Sequence, residues 1–518
     1  MLQHSGETSS RPHRQPLTGW AFSNSYAALP ERFFTRLDPV RVAEPRLIKL
    51  NEALAQELSL ECGALDSSEL ASIFSGNAIP PGAEPIAMVY AGHQFGQFVA
   101  RLGDGRAILL GEVIDRRGRR CDIQLKGTGR TPYSRSGDGR AALGPVLREY
   151  LVSEAMHALG VATTRALAAV TTGEEVLRDA RLPGAIVTRV AASHVRVGTF
   201  EYFAARADHE AVRVLADYSI DRHYPELKAA DRPYLELLRA VARRQAALVA
   251  SWMHVGFIHG VMNTDNTAIS GETIDFGPCA FMDAYDPSTV FSSIDAMGRY
   301  SFANQQPAAQ WNLARFAETL LPLIDADLDR AVETAGEVVS AFSPDLEERW
   351  LAGMRRKLGL FTSEPGDIDL ARAWLDLMHR NQCDYTLTFR RLCDAAEREE
   401  AGAQAAHAAD AEDARLRASF FTRDDYAAWA RAWRSRTARE PRSSRERALS
   451  MRRANPALIP RNHRIERVIT AAVELGDFGP FEEMLEALAR PYERRERFEA
   501  YAAPPAPAER VLQTFCGT

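Results

Sequence analysis

The chain has 518 residues, of which 46% are hydrophobic and 25% charged, a globular composition long enough for two or three domains and unlike that of a disordered chain. With 63 basic against 69 acidic residues and a net charge of −6, no strong overall field draws it to nucleic acid or anionic lipid. Six cysteines without a C-x-x-C pair exclude a disulfide scaffold and argue against structural zinc.

Residues 1–85 read as an N-terminal extension packing on the rest of the chain. Within it, 30–34 reads as a loop entering a short helix, 48–60 has helical spacing, and Pro80-Pro81-Gly82 closes the segment. From 86 to 126 the pattern turns to strands. They are expected at 85–90, 106–113 and 121–126, the last two joined as an antiparallel hairpin by the polar turn 115–119. A polar, glycine-rich stretch, 127–139, leads into a helix over about 141–159 with Gly160 as its stop. Strands return near 166–171 and 185–192. Past 193 the chain is mostly helical. Pro233 opens a long helix with Leu238, Val241, Leu248 and Trp252 on one stripe, ending at Gly256. Residues 267–270 and 273–276 read as short strands around Gly271-Glu272, a hairpin that sets Ala268 opposite Asp275. Helices dominate beyond 305. Residues 395–418, rich in Ala, Glu and Asp, read as an exposed helix or an insertion, and the arginine-rich stretch 430–453 as a solvated helical face.

That order predicts an α+β chain with a two-lobed protein-kinase-like fold. The antiparallel sheet belongs to an N-lobe at 86–192, and a helical C-lobe at 193–365 carries a catalytic loop and D-F-G. An all-helical C-terminal extension, 366–518, ends in a redox-capable tail. A nucleotide would lie between the lobes.

Three groups of residues carry chemistry. In Leu102-Gly103-Asp104-Gly105-Arg106, a Gly-x-Gly turn lets backbone N–H groups approach phosphate oxygens. Lys126 ends a strand, with Glu149 inside the following helix as its expected partner and Glu154 as the competitor; a strand lysine paired to a helix glutamate aims an ammonium at phosphates. Most informative is His259-Gly260-Val261-Met262-Asn263-Thr264-Asp265-Asn266 followed by Asp275-Phe276-Gly277. The kinase template H-R-D-x-x-x-x-N has the same separation of His from Asn. An amide oxygen of Asn266 and a carboxylate of Asp275 suit a hard ion, Mg²⁺ or Mn²⁺. Val261 stands where the kinase base would be and cannot take a proton, which leaves Asp265 as the acid in the loop able to serve. Asp138, Gly139, Arg140, Arg189 and Arg196, with Arg106 and Lys126, are candidates to surround a polyphosphate.

At these residues the chain resembles the selenoprotein O family, kinase-like protein adenylyltransferases. The stretches Tyr90-Ala91-Gly92-His93-Gln94-Phe95-Gly96, Gln124-Leu125-Lys126-Gly127-Thr128-Gly129-Arg130, Ser153-Glu154-Ala155-Met156-His157 and Ile459-Pro460-Arg461-Asn462-His463-Arg464 carry the likeness together with the three groups above. The resemblance implies ATP bound in reverse relative to a kinase, with AMP transferred to Ser, Thr or Tyr hydroxyls of protein substrates and pyrophosphate released. It implies Gly103, Gly105, Arg106, Lys126, Asp138, Gly139, Arg189, Arg196 and Asp275 at the nucleotide, Glu149 orienting Lys126, Asp265 as proton acceptor, and Asn266 and Asp275 on the metal. Use of UTP with Mn²⁺ is the alternative within the family; a conventional kinase or an inactive nucleotide-binding scaffold lies outside it. Some members carry selenocysteine near the C-terminus where this chain has Cys516, and a bridge from Cys516 to Cys279, beside D-F-G, would switch the site by oxidation. No nucleic-acid or membrane partner is expected. No apolar run reaches membrane-spanning length, and the N-terminus lacks a secretory h-region. The expected location is cytoplasmic, or mitochondrial if the Arg- and Ser-bearing N-terminus is a transit peptide.

Overall fold

The computed structural model describes residues 20–397 and 416–515. The N-terminal stretch weighed as a transit peptide, most of the Ala-rich segment and Cys516 lie outside the described residues.

An antiparallel sheet and a large helical region make up an α+β architecture. The strands, in chain order, are β1 (Phe34–Arg36), β2 (Arg46–Leu50), β3 (Ile86–Met88), the small separate pair β4 (Gly92–Gln94) and β5 (Gln97–Val99), then β6 (Ala107–Ile114), β7 (Arg120–Lys126), the two-residue β8 (Ala141–Ala142), β9 (Arg165–Leu177) and β10 (Arg181–Ala191). The main sheet runs β1-β3-β6-β7-β10-β9-β2, with β8 added against β10. The β6–β7 hairpin forms as expected, with Ala107 opposite Lys126 and Leu109 opposite Gln124.

Three elements differ from the sequence reading. Residues 46–50 form a strand, β2, paired with β9, and the helix after it, α1, covers only Glu52–Glu57. The segment read as an extension therefore supplies both edges of the sheet. The two strands expected near 166–171 and 185–192 are longer and form one hairpin, closing at Leu177 opposite Arg181. The expected hairpin around Gly271 does not form a ladder. Ala268 bridges Arg196 and Thr273 bridges Thr163, so each arm finds its backbone partners on a different neighbouring segment and only the turn bond from Gly271 N–H to Ala268 O remains.

The sheet is covered on both faces. Leu110, Ile123, Leu125, Leu167 and Ile186 pack against α1 and α2 (Ser67–Phe74). Residues directly opposite on neighbouring strands share a face, so Gln124 and Lys126 of β7 lie on the same side as Arg189 and Val187 of β10. On that side sits α3 (Leu143–Ala158), with Leu143, Val146, Leu147, Tyr150 and Leu151 at 3–4-residue spacing, all buried. Each such side chain contributes roughly 1.5–3 kcal/mol of burial. Gly160, at φ +79°, follows the helix as expected. The outer face of α3 is also covered, by helices Asn462–Leu475 and Gly479–Leu488; Tyr150 meets Phe481 edge to face at 5.5 Å. Arg461, 1% exposed, pairs with Asp283 and, at 2.9 Å, with Asp384, tying the start of the first of these helices to the segment after D-F-G.

Beyond the sheet come α4 (Val197–Ala204), α5 (His209–His223), α6 (Pro233–Val255) and α7 (Gln305–Ile324). The α6 boundaries match the Pro start and Gly stop, with Gly256 left-handed at φ +73°. The arginine-rich stretch lies largely in helices Arg423–Thr437 and Ser444–Ala454, where Arg436 is buried between Asp367 and Glu440. None of the described helices is long and apolar enough to cross a membrane.

Candidate active site

A cavity of about 790 Å³ opens where the end of β7, the loop before β6, the 127–139 stretch and the 259–277 segment converge. Arg106, Lys126, Asp138, Gly139, Arg189, Arg196, Asp265, Asn266 and Asp275 all line it, as do Gly103 and Gly105. Glu149 does not line it and stands behind Lys126.

Lys126 Nζ donates to Glu149 Oε2 at 2.7 Å and also to Asp275 Oδ1. Glu154, the competing partner, instead holds Arg165 at 2.7 Å and Asn51 at 2.8 Å. Arg189 Nη1 reaches Asp275 Oδ1 at 3.1 Å, and its Nη2 donates to Gln124 Oε1 at 2.6 Å. Burial works to raise the Asp275 pKa, but Lys126, Arg189 and Arg196 outweigh it and hold the carboxyl well below its ordinary range. Asp275 has φ +67°, a left-handed conformation that an aspartate tolerates at moderate cost.

Asp265 has the opposite environment. It is 8% exposed, and burial lifts its carboxyl to about 6, with Arg196 only partly opposing. Its Oδ1 has no hydrogen-bond partner, while Oδ2 accepts from Gln94 Nε2 at 3.3 Å. Asn266 Nδ2 donates to Val261 O at 3.0 Å, which fixes the amide and turns Oδ1 the other way. His259 is a buried brace: its Nε2 lies 3.0 Å from Ile274 O, and its backbone N–H donates to Gln305. Donors of this kind, one amide oxygen and one carboxylate with phosphate oxygens completing the shell, fit a hard divalent ion. Among the described residues there is no cluster of three or more His, Cys, Asp or Glu able to hold a metal without them.

The Gly-x-Gly turn does something other than expected. The backbone N–H groups of Asp104 and Gly105 donate to Met88 O and Gly103 O, so these two do not point at a ligand. The glycines instead make room for the 131–134 segment. A Cβ on Gly103 would lie 2.4 Å from the Tyr133 ring, and one on Gly105 would lie 2.8 Å from Tyr133 O. Thr131 Oγ1 donates to Asp104 O at 2.7 Å, fastening the polar stretch over the turn.

Arg196 is 2% exposed. It donates to Asp265 O at 3.2 Å and stacks 4.5 Å from the centre of the Tyr90 ring. Asp104 Oδ1 lies 4.0 Å from its Nη2. Arg196 therefore braces the floor of the cavity as well as lining it. Asp138 is held by Arg178 at 2.8 Å.

Sequence reasoning missed Arg178, Gln124, Tyr90 and the role of the 90–96 motif. That motif is the β4–β5 hairpin, with Phe95 and Gly96 both at positive φ in its turn. It clamps the 259–266 loop: His93 N–H donates to Thr264 Oγ1 at 2.7 Å and Phe95 N–H to Asn263 Oδ1 at 3.0 Å. Cys279 is buried.

A family model described as protein adenylyltransferase SelO matches residues 16–489. Protein nucleotidyltransferase YdiU of Rhizobium johnstonii is 60% identical over 511 residues, covering 99% of this chain and all of that protein. The proteins of the same name from Rhizobium meliloti and from a Bradyrhizobium strain are each 61% identical, covering 97% and 96% of this chain and 100% and 99% of their own.

Proposed function

The chain belongs to the SelO family of protein nucleotidyltransferases, and on that premise we propose that it transfers AMP from ATP to Ser, Thr or Tyr hydroxyls of protein substrates, releasing pyrophosphate. The observation that carries this reading is the meeting of Lys126, Arg189, Asp265 and Asp275 in one cavity large enough for a nucleoside triphosphate. Lys126 and Arg189 supply fixed positive charge to the phosphates, and Glu149 and Gln124 hold them in place. Asp265, with an unpartnered oxygen and a carboxyl titrating at about 6, takes the proton of the acceptor hydroxyl. The hydroxyl oxygen then bonds to the α-phosphorus as the bond to pyrophosphate breaks. Asn266 and Asp275 would hold Mg²⁺ or Mn²⁺, which when bound neutralises phosphate charge. The two-lobed kinase-like arrangement, with lobes at 86–192 and 193–365, belongs to the same proposal.

Redox control through Cys279 and Cys516 is a further part of it. Thr514 Oγ1 donates to Pro278 O at 2.6 Å, so the tail is already anchored beside Cys279. An oxidant of the peroxide class would take two electrons and two protons from the thiols. Comparing activity of Cys516→Ser with the parent under reducing and peroxide-treated conditions tests it; indifference of both to oxidation removes the idea.

Intact-mass measurement of the enzyme with an acceptor protein tests the main proposal, with ATP or UTP and Mg²⁺ or Mn²⁺ in parallel. Gain of one AMP is expected. Gain of UMP alone replaces the adenylyl reading by a uridylyl one, gain of a phosphate points to a kinase, and no adduct with any combination overturns transfer.

A further inference from the structure

A second cavity, of about 370 Å³, lies behind the Lys126–Glu149 pair, between α3, the sheet and the C-terminal segment. Arg106, Lys126 and Gly277 line both cavities. The walls of the second are apolar on most sides: Val146, Val187, Phe276, Ile469 and Val511. Phe515 stands at its edge, 68% exposed, and the tail strand bearing it is pinned by Thr514, whose N–H donates to Phe291 O at 2.7 Å. Arg106, Lys126, Glu149, Glu466 and Gln513 also line it, and Arg148 differs from them in carrying a buried polar atom without a partner. Arg148 is 6% exposed, and its Nη1 is buried without a hydrogen-bond partner. Its Nη2 donates to Glu466, a carboxylate that is 45% exposed. A solvent-facing carboxylate is a weak, screened partner, and a guanidinium presents a planar fork of donors of which only one side is used here.

We propose that this cavity binds a small amphipathic monocarboxylate, with its carboxylate on Arg148 and its hydrocarbon chain against Val146, Val187, Phe276 and Ile469. A hydrocarbon alone would leave the buried N–H unsatisfied. A fully hydrated inorganic anion would lose its water against apolar walls. A molecule with one charged end and an apolar body answers both, and the space, enough for about a dozen waters at liquid volume, suits a chain of about eight to ten carbons. The apolar chain would also cover Phe515. The occupant would press on the side of Lys126 and Glu149 away from the nucleotide cavity, so the site is placed to tune transfer.

Titration calorimetry of the full chain without nucleotide, with decanoate and decanol as probes, keeps the test separate from the transfer reaction. Decanoate is expected to bind one site at least about tenfold more tightly than decanol. Arg148→Leu should bring decanoate down to the decanol level and leave decanol unchanged, while Ile469→Trp, which fills the cavity, should abolish both. If Arg148→Leu fails to fold, Arg148→Lys serves in its place and should weaken decanoate several-fold by losing the fork. Equal affinity for the two probes, affinity indifferent to either Arg148 variant, or absence of saturable binding each overturns the proposal.

Discussion

Lys126 Nζ and Glu149 Oε2 lie 2.7 Å apart, the lysine side chain 9% and the glutamate 7% exposed. Glu149 does not line the larger cavity, so its effect passes through the two cations it holds, Lys126 and Arg189, whose Nη1 donates to Glu149 Oε1 at 3.4 Å. With Glu149→Gln, the ammonium keeps only Asp275 as a charged partner and is drawn toward it. Transfer should fall about 100-fold, the scale for misplacing one electrostatic donor, with the circular dichroism spectrum unchanged. A variant working at half the parental rate would remove Glu149 from the mechanism.

Asp275 takes both Lys126 and Arg189 on Oδ1. Removing its carboxylate leaves two clustered cations facing one another and, on the proposed mechanism, deletes a donor to the metal. Asp275→Ala is expected to abolish transfer, below about one thousandth of the parental rate. Turnover retained at saturating Mn²⁺ would refute its placement on the metal.

Arg178 closes the 127–139 stretch by gripping Asp138 with both Nη1 and Nη2. It acts on the position of a loop that lines the nucleotide cavity and stands apart from the reacting groups. Arg178→Met should therefore raise KM for the nucleotide several-fold and leave kcat within about twofold. A drop in kcat with KM unchanged would assign it to the chemistry instead.

Lys357 is 2% exposed, with its Nζ 4.0 Å from the centre of the Phe389 ring and 5.3 Å from that of Tyr385. Burial pulls its pKa down from 10.5 to about 7. The unfolded chain holds this proton more tightly than the folded one between pH 7 and about 10, so the contribution to stability rises with pH across that window. At pH 7 the burden has an upper bound of about 5 kcal/mol at 1.36 kcal/mol per unit, reduced in practice by the ring faces. Lys357→Met should raise Tm by several degrees at pH 7, and the gain should shrink toward pH 10. A gain independent of pH would mean that packing, not charge, is responsible.

What could be read from the sequence was local. The separation of His259 from Asn266 and the D-F-G run lie within one stretch of chain, and so do the Pro233 start and Gly256 stop of α6. Residues that depend on distant partners were not readable. The 46–50 segment satisfies helical and extended patterns alike, and its pairing with β9 decides the outcome. Strand β9 runs past the expected end at 171 through an irregularity: the register with β10 breaks between Thr171 opposite Ala185 and Glu175 opposite Pro183, with Gly173 at φ +71°, and the ladder resumes from Glu175 to Leu177. Gly103 and Gly105 line the cavity, as the Gly-x-Gly reading expects, but the sequence does not show that Tyr133, arriving from another loop, packs where their Cβ atoms would stand. Arg178 could not be linked to Asp138 across 40 residues without the β9–β10 hairpin that carries it there.

Gly92 gives a test of the clamp over the catalytic loop. It begins β4, and a Cβ there would come within 2.7 Å of Asp265 Oδ1 and 3.0 Å of Asp265 Cβ. Its backbone is not left-handed, so alanine carries no torsional penalty and the effect comes from contact alone. The nearest neighbour is the atom with no hydrogen-bond partner, and relief requires the Asp265 side chain to turn or the hairpin to lift from Thr264 and Asn263. Either movement misplaces Asp265, the proposed proton acceptor, and displacement of about 1 Å at such a site costs on the order of 100-fold in rate. Gly92→Ala should therefore lose about that much transfer while nucleotide KM changes little, since the cavity walls at Lys126 and Arg189 are untouched. Gly336→Ala is the control. Gly336 lies within a helix with no neighbour inside 4 Å of a notional Cβ, so alanine there should add about 0.5–1 kcal/mol of stability with activity unaltered. Full activity in Gly92→Ala would show that Asp265 has freedom the packing denies it, and its assignment as proton acceptor would fall.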